Sequence, residues 1–416
     1  MQDDILTKIL GIEGFTVINM KMENRGDRTA VIIDMGRPGN DCICEECGRK
    51  VEGTIKYRER EVQHLPFFQH LTFLRFAQYR VRCPDCGKKV EKLSFLGLYS
   101  RVTNALAGHV HELCKVMTVK AVTVLHALHW GTVKDIDKNV LQRIQDTRPL
   151  DGITVLGADE IFVGKGYKCW HLISALEGPR GPELLYIGEG RKEKDLKKFW
   201  RWFGKARAKK ITHAVMDMWK GFIKSFKSNC PNVQIIYDKF HIISHLLNAL
   251  NSVRKDELRK ASGRFRGLLP GKKFVLLSRY AHLTRKSREA LYELLIYSPK
   301  LFKAYYLKEI FGHLWDFKSK TWARKFFRSW VDQLKGTRLK PYKKFAVMVE
   351  KHLDGILSYC DKKVSLGYIE STNLKARNII RRAYGFRDKQ YMKLKIIQAC
   401  SSFGKFRPWS LDNIPL

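Results

Sequence analysis

The spacing of apolar residues changes several times along this chain, and each change predicts a different element. Between 99 and 148 apolar residues return every three or four positions, as in VTNALAGHVHELCKVM, which predicts helices. The stretch MTVKAVTVLHALHWGTVKDIDKNVL predicts a short helix, a turn at Trp130 and Gly131, a Thr132 cap and a second helix. That is the layout of a helix-turn-helix, although a plain helical hairpin carries a similar pattern.

From 151 the pattern shortens. ITVLGADEIF, KCWHLISAL and ELLYIGEG read as three strands parted by glycine-containing turns. After them KEKDLKKFWRWFGKARAKK reads as one helix, ITHAVMD as a strand, WKGFIKSFKSN as a helix, VQIIYD as a strand and FHIISHLLNALNSVRKDELRK as a helix. A meander followed by alternating helix and strand predicts a mixed sheet with helices on its faces. Residues 251–364 are helical, basic and aromatic and read as an insertion, after which 365–400 returns to the sheet domain formed by 151–250.

The first 98 residues have another signature. CICEECGRK and VRCPDCGKKV put Cys44, Cys47, Cys83 and Cys86 in two knuckles, each followed by glycine. Two residues between thiolates let one turn offer both sulfurs to a tetrahedral Zn²⁺, so residues 1–98 read as a zinc ribbon with a long insert. TFLRFAQYRVR alternates as a strand returning to the second knuckle. All four positions are filled, so this zinc is structural. Cys42, His64 and His70 are read as bystanders; His241 and His245 lack a third ligand and are not read as a zinc pair. The whole is thus a multidomain α/β chain: zinc ribbon, helix-turn-helix over 99–148, mixed-sheet core and helical insertion.

Charge narrows the partner. The 416 residues carry 78 Lys and Arg against 41 Asp and Glu, a formal charge of +37, which calls for a polyanion such as double-stranded DNA. No apolar run reaches the roughly 18 residues of a membrane span, and MQDDILTKILGIEGF lacks a signal layout, so the expectation is a cytoplasmic protein with no membrane partner. Ten cysteines in so long a chain suggest metal rather than a disulfide scaffold.

Against this background, acids at predicted strand ends stand out: Asp159, Asp217 and Asp238, joined by Glu370 at the start of the last helical segment. Carboxylates converging at one sheet edge hold Mg²⁺ or Mn²⁺ while leaving positions open to water and phosphate. Any one of them alone could equally be a turn former, and Asp238 could cap the helix beginning near Phe240.

GADE, VMDMWKGF, YDKFHII and GYIESTNLKARNIIRRAYGF, preceded by the paired knuckles and the helix-turn-helix, resemble the ISL-three-type bacterial insertion-sequence transposases over nearly the whole chain. The resemblance implies an RNase H-like core of the DDE type with a helical insertion ahead of the final glutamate. It assigns Asp159, Asp217 and Glu370 as the magnesium-holding catalytic acids, with Asp238 and His241 as supporting or alternative site residues. Glu160 rivals Asp159, but neighbouring strand residues point to opposite faces, so only one of them faces the site. The expected activity is binding of the element's terminal inverted repeats, then metal-dependent cleavage and strand transfer. A homo-oligomer on paired ends is implied, as is residence at the bacterial nucleoid. Lys375, Arg377, Arg381 and Arg382 are the expected phosphate contacts; the basic, aromatic stretch 191–210 could serve DNA or simply be a solvated face. The rival functions are a non-catalytic DNA-binding regulator, and a nuclease or resolvase that cuts without joining.

Overall fold

The computed structural model describes residues 2–39, 41–51, 54–97, 100–164, 168–268, 270–364, 367–383 and 387–405. Residues 98 and 99 at one expected boundary, 365 and 366 at another, and Tyr384 to Phe386 at the end of the GYIESTN motif lie outside them. The chain forms two compact units, one of residues 1–148 with 388–399 and the residues from 403, the other of 149–387 with 400–402.

In the first unit, α1 (Gln2–Leu10) leads into β1 (Thr16–Arg25) and β2 (Arg28–Gly36), an antiparallel hairpin that the sequence reading did not anticipate. Short β3 (Cys42–Ile43) and β4 (Lys50–Val51) pair with each other, and long β5 (Thr54–Phe67) and β6 (His70–Cys83) form a second hairpin. Since β2 runs parallel to β6, the order is β1-β2-β6-β5, with β7 (Gly87–Val90) also on β6. The alternation seen in β6 is borne out: Leu74 and Phe76 pack with Phe15, Val31, Ile33 and Val62. The ribbon insert is therefore a proper sheet, with the knuckles at its end.

Helices α2 (Asn104–Val116), α3 (Val119–His126) and α4 (Trp130–Thr147) form the helix-turn-helix bundle around Leu106, Val110, Val122 and Val133. The turn lies earlier than expected. Ala127 takes a left-handed φ of 50°, and His129, not Thr132, caps α4 by accepting the Gly131 N–H at Nδ1 (3.2 Å). Trp130 and Gly131 thus open the helix rather than form the turn. A further helix, Lys389–Ala399, packs in this unit instead of remaining with the sheet domain. A buried hub fixes it: Asp137 of α4 meets His111 Nδ1 at 2.7 Å and accepts from the Tyr391 hydroxyl at 2.5 Å and Lys395 Nζ at 3.1 Å. Burial pushes the Asp137 carboxyl up, but the His111 bond and the Lys395 charge outweigh it and hold it below its usual range.

The second unit is built on β8 (Val155–Phe162), β9 (Cys169–Glu177), β10 (Glu183–Glu189), β11 (His213–Met216) and β12 (Gln234–Tyr237). Their order is β10-β9-β8-β11-β12, antiparallel through β10, β9 and β8 and parallel through β8, β11 and β12. This is the RNase H-like mixed sheet. The parallel strands are apolar on both sides because both faces are covered. Leu156, Ala158, Ala214, Met216 and Ile235 face a core with Phe199, Phe203, Phe222, Phe226 and Ile242, whereas Val155, Val215 and Ile236 pack with Ile369.

The predicted helix over 192–210 is interrupted at Gly204, whose φ of 91° lies outside helical space; α5 (Lys197–Phe203) precedes it and α6 (Lys205–Ala208) follows. Next come α7 (Lys220–Asn229) and α8 (Lys239–Lys260). Helix α8 passes the expected limit at 250 without a break, since Leu250 and Val253 are both buried in the same core. The insertion is helical as expected, and it extends the main core through Phe311, Trp330, Tyr342 and Phe345. The last helix of this unit spans Gly367–Arg382.

Candidate active site at the parallel strand edge

Strand register brings the acids together. Met216 of β11 pairs with Ala158 of β8 on one side and Tyr237 of β12 on the other, so Asp159, Asp217 and Asp238 are each the next residue beyond one paired row. Residues far apart in sequence thereby share one sheet edge, because parallel strands end their ladders at one level. Asp159 does not end its strand as expected: β8 continues to Phe162 along β9, and only its ladder with β11 stops.

The three aspartates differ in environment. Asp159 Oδ1 accepts the Glu160 N–H at 2.8 Å and Asp217 Oδ1 accepts the Met218 N–H at 2.6 Å, which among the described residues leaves one oxygen of each free of backbone. His241, one turn into α8, sits between them, with Nε2 3.8 Å from Asp159 and Nδ1 3.7 Å from Asp217. The Asp159 contact and the neighbouring aspartates raise its pKa to about 9 against the effect of burial. Asp238 is buried and caps α8 through the Phe240 N–H at 2.8 Å. Burial pushes its carboxyl up, and the charges of Asp159 and Glu370 add to this.

The final helix reaches the site through Gly157. A Cβ there would lie 2.9 Å from Ile369 Cδ1, so the bare glycine lets the helix settle on β8. That contact sets Glu370 in the first helical turn, exposed, and one turn later it buries Asn373, whose amide donates to Asp159 Oδ2. Asn373 Oδ1 is buried without a hydrogen-bond partner among the described residues. Lys375, Arg377, Arg381 and Arg382 lie on the exposed side of the same helix. Among the described residues, the four cysteines are the one group of three or more potential ligands with all ligand atoms within 4.8 Å, so the acids share an edge but are not drawn to that spacing.

The sequence reading missed the partners of Glu160. Its Oε1 accepts from Arg191 at 2.9 Å, and the Arg191 guanidinium lies 3.9 Å over the Trp219 ring, two residues past Asp217. Burial, and then the charges of Asp159 and Asp217, raise the Glu160 carboxyl despite Arg191. Trp219 was visible in VMDMWKGF; Arg191, two residues past the end of β10, stood out only as the first residue of the basic stretch 191–210, with nothing local to link it to Glu160.

Divalent Mg²⁺ or Mn²⁺ fits this donor set. The oxygens are hard carboxylates, and Asp159 and Asp217 already accommodate the cationic edge of an imidazole between them. The cysteine centre fits Zn²⁺: Cys44 and Cys47 flank the β3–β4 turn, Cys83 and Cys86 the β6–β7 turn, and all four sulfurs lie within 4.8 Å of one another. Gly48 and Gly87, directly after the knuckles, both have φ of 74°, which explains the glycine in each motif. Cys42 instead accepts from Arg37. No helix among the described residues is long and apolar enough to cross a membrane.

A zinc ribbon, a helix-turn-helix and an RNase H-like sheet in one chain are the parts of an insertion-sequence transposase, and known proteins agree. A family described as "Transposase" matches residues 156–396, the zinc-finger of transposase IS204/IS1001/IS1096/IS1165 matches 41–86, and the helix-turn-helix domain of transposase family ISL3 matches 91–141. The chain belongs to the ISL3 transposase family. It is 29% identical to the transposase for insertion sequence element IS1001 of Bordetella parapertussis, over 85% of this chain and 87% of that one. It is 25% identical to the transposase for IS1557 of Mycobacterium tuberculosis, over 92% of each. Its helix-turn-helix and transposase domains bind DNA.

Proposed function

We propose that the chain cuts DNA at the ends of its insertion sequence and joins those ends to target DNA by a DDE mechanism, with Asp159, Asp217 and Glu370 as the catalytic acids. The observation that carries this reading is the register of β8, β11 and β12, which gives Asp159 and Asp217 one level beneath the helix of Glu370.

Bound Mg²⁺ or Mn²⁺ would supply the positive charge that activates the attacking oxygen and stabilises the leaving one. Asp159, Asp217 and Glu370 would hold it, while Asn373 fixes the direction of the Asp159 carboxylate. Asp238 serves as the cap of α8, and its near-complete burial favours Asp217 as the second acid. Water first attacks the phosphodiester at the element end; the bond from phosphorus to the element's 3′ oxygen breaks, so the flanking strand keeps a 5′ phosphate and the element is left with a 3′ hydroxyl. That hydroxyl then attacks a target phosphodiester, forming the new bond and releasing a target 3′ hydroxyl. Lys375, Arg377, Arg381 and Arg382 contact the phosphates, and the ribbon and helix-turn-helix read the terminal inverted repeats. Pairing two ends calls for a homo-oligomer on DNA, at the nucleoid.

The test is strand transfer by the full chain on end-containing DNA with Mn²⁺. Asp159→Ala, Asp217→Ala and Glu370→Ala should each lose joined and cleaved products. Full strand transfer by all three would overturn the assignment, and cleavage without joined product in the wild type would make the chain a nuclease.

A further inference from the structure

An exposed aromatic follows each edge aspartate within three residues along the chain: Phe162 is 54% exposed, Trp219 37% and Phe240 59%. Trp219 is the one built into a mount. Its Nε1 donates to the Arg191 carbonyl at 3.0 Å, and the Arg191 guanidinium covers the ring at 3.9 Å. Glu160 holds that guanidinium at 2.9 Å. Gly221 leaves room for the mount, because a Cβ there would lie 2.6 Å from the Arg191 carbonyl oxygen and 2.9 Å from Trp219 Nε1. An indole fixed by its N–H and backed by a cation has one face occupied and a surface still open to solvent. It stands two residues from Asp217, at the N-cap of α7.

Core packing does not require this arrangement, since the ring is not buried. A nucleobase does suit it: any base offers a π face, and a cation behind the indole makes the stack a three-layer one. Bases inside a duplex already have both faces covered, so only a base out of the stack can occupy the platform. We propose that Trp219, on its Arg191–Glu160 mount, stacks an unpaired nucleobase beside the scissile phosphate, so that the DNA end is opened where it is cut. The proposal rests on the acid assignment above for what lies beside the platform.

The experiment reads base opening without chemistry. The full-length protein is bound, in Ca²⁺, to element-end duplexes carrying 2-aminopurine at successive positions around the junction, and unpairing is checked by permanganate reactivity of thymines. The wild type should give a position-specific signal. Trp219→Ala should reduce it at least about fivefold, Trp219→Phe less so, and a mismatch or abasic site at that position should restore Mn²⁺-dependent cleavage to Trp219→Ala. No unpaired position in the wild type overturns the proposal whatever the variants do. A signal unchanged in Trp219→Ala, or cleavage that a mismatch does not restore, also overturns it. If Trp219→Ala instead alters sedimentation with the base signal intact, the ring contacts protein and the proposal falls. Thermal melting of Trp219→Phe controls for folding. Asp217→Asn separates the two readings: it should abolish cleavage and keep the base signal, so retained cleavage would sink the acid assignment alone.

Discussion

Asp217 and Asp238 look alike in sequence, each ending an apolar run, but their surroundings make different demands. Asn caps a helix about as well as Asp, so Asp238→Asn should cost only a few tenths of a kcal/mol in melting and leave strand transfer within about threefold. Asp217→Asn should lose transfer by orders of magnitude at unchanged stability. If Asp238→Asn were the inactive variant, the second acid would be Asp238. Glu160, the other ambiguous acid, is explained by Arg191, a partner 31 positions away that no local pattern exposes.

Among the elements, Gly157 decides how closely the Glu370 helix lies on β8. Gly157→Ala puts a methyl 2.9 Å from Ile369 and 3.1 Å from Leu176, and should cost about 1–3 kcal/mol in thermal unfolding of the second unit while lowering transfer activity. In the first unit, chelating zinc should unfold the ribbon, seen as loss of strand signal in circular dichroism; an unchanged spectrum after verified zinc release would remove the structural role. Acid acts here too. His126 is buried and its pKa falls to about 4, from burial and then from His109, whereas in the unfolded chain it titrates near 6.5. The unfolded state therefore takes up the proton first, and this contribution to stability is present above about pH 6.5 and lost as pH falls towards 4. His126→Gln should flatten the decline in melting temperature over that interval.

Over the molecule as a whole, a charge of +37 predicts DNA affinity that falls steeply with salt, by roughly 10³ to 10⁵ between 50 and 200 mM if six to ten phosphates are neutralised. Titration at several salt concentrations measures the slope, and a flat one would contradict a phosphate-based footprint. Much of this molecule was legible from its residues. CxxC spacing with a following glycine marks the knuckles, because both the metal and the turn act locally. Apolar period marks β6, β8 to β12, α2 and α8, because burial acts on adjacent residues. What period could not show was where helices stop: a left-handed Ala127 and a histidine cap moved the helix-turn-helix turn, and Gly204 divided a stretch that reads as one helix. Nor could it show that Lys389–Ala399 leaves the sheet domain, since Tyr391 and Lys395 find Asp137 only in space. The sequence alone determined the kinds of parts, their order and the candidate acids, since spacing, period and charge are properties of neighbours along the chain. The tertiary structure alone decided which acids share an edge, which is a cap, and what holds Glu160, since strand register and burial arise between segments that the chain keeps far apart.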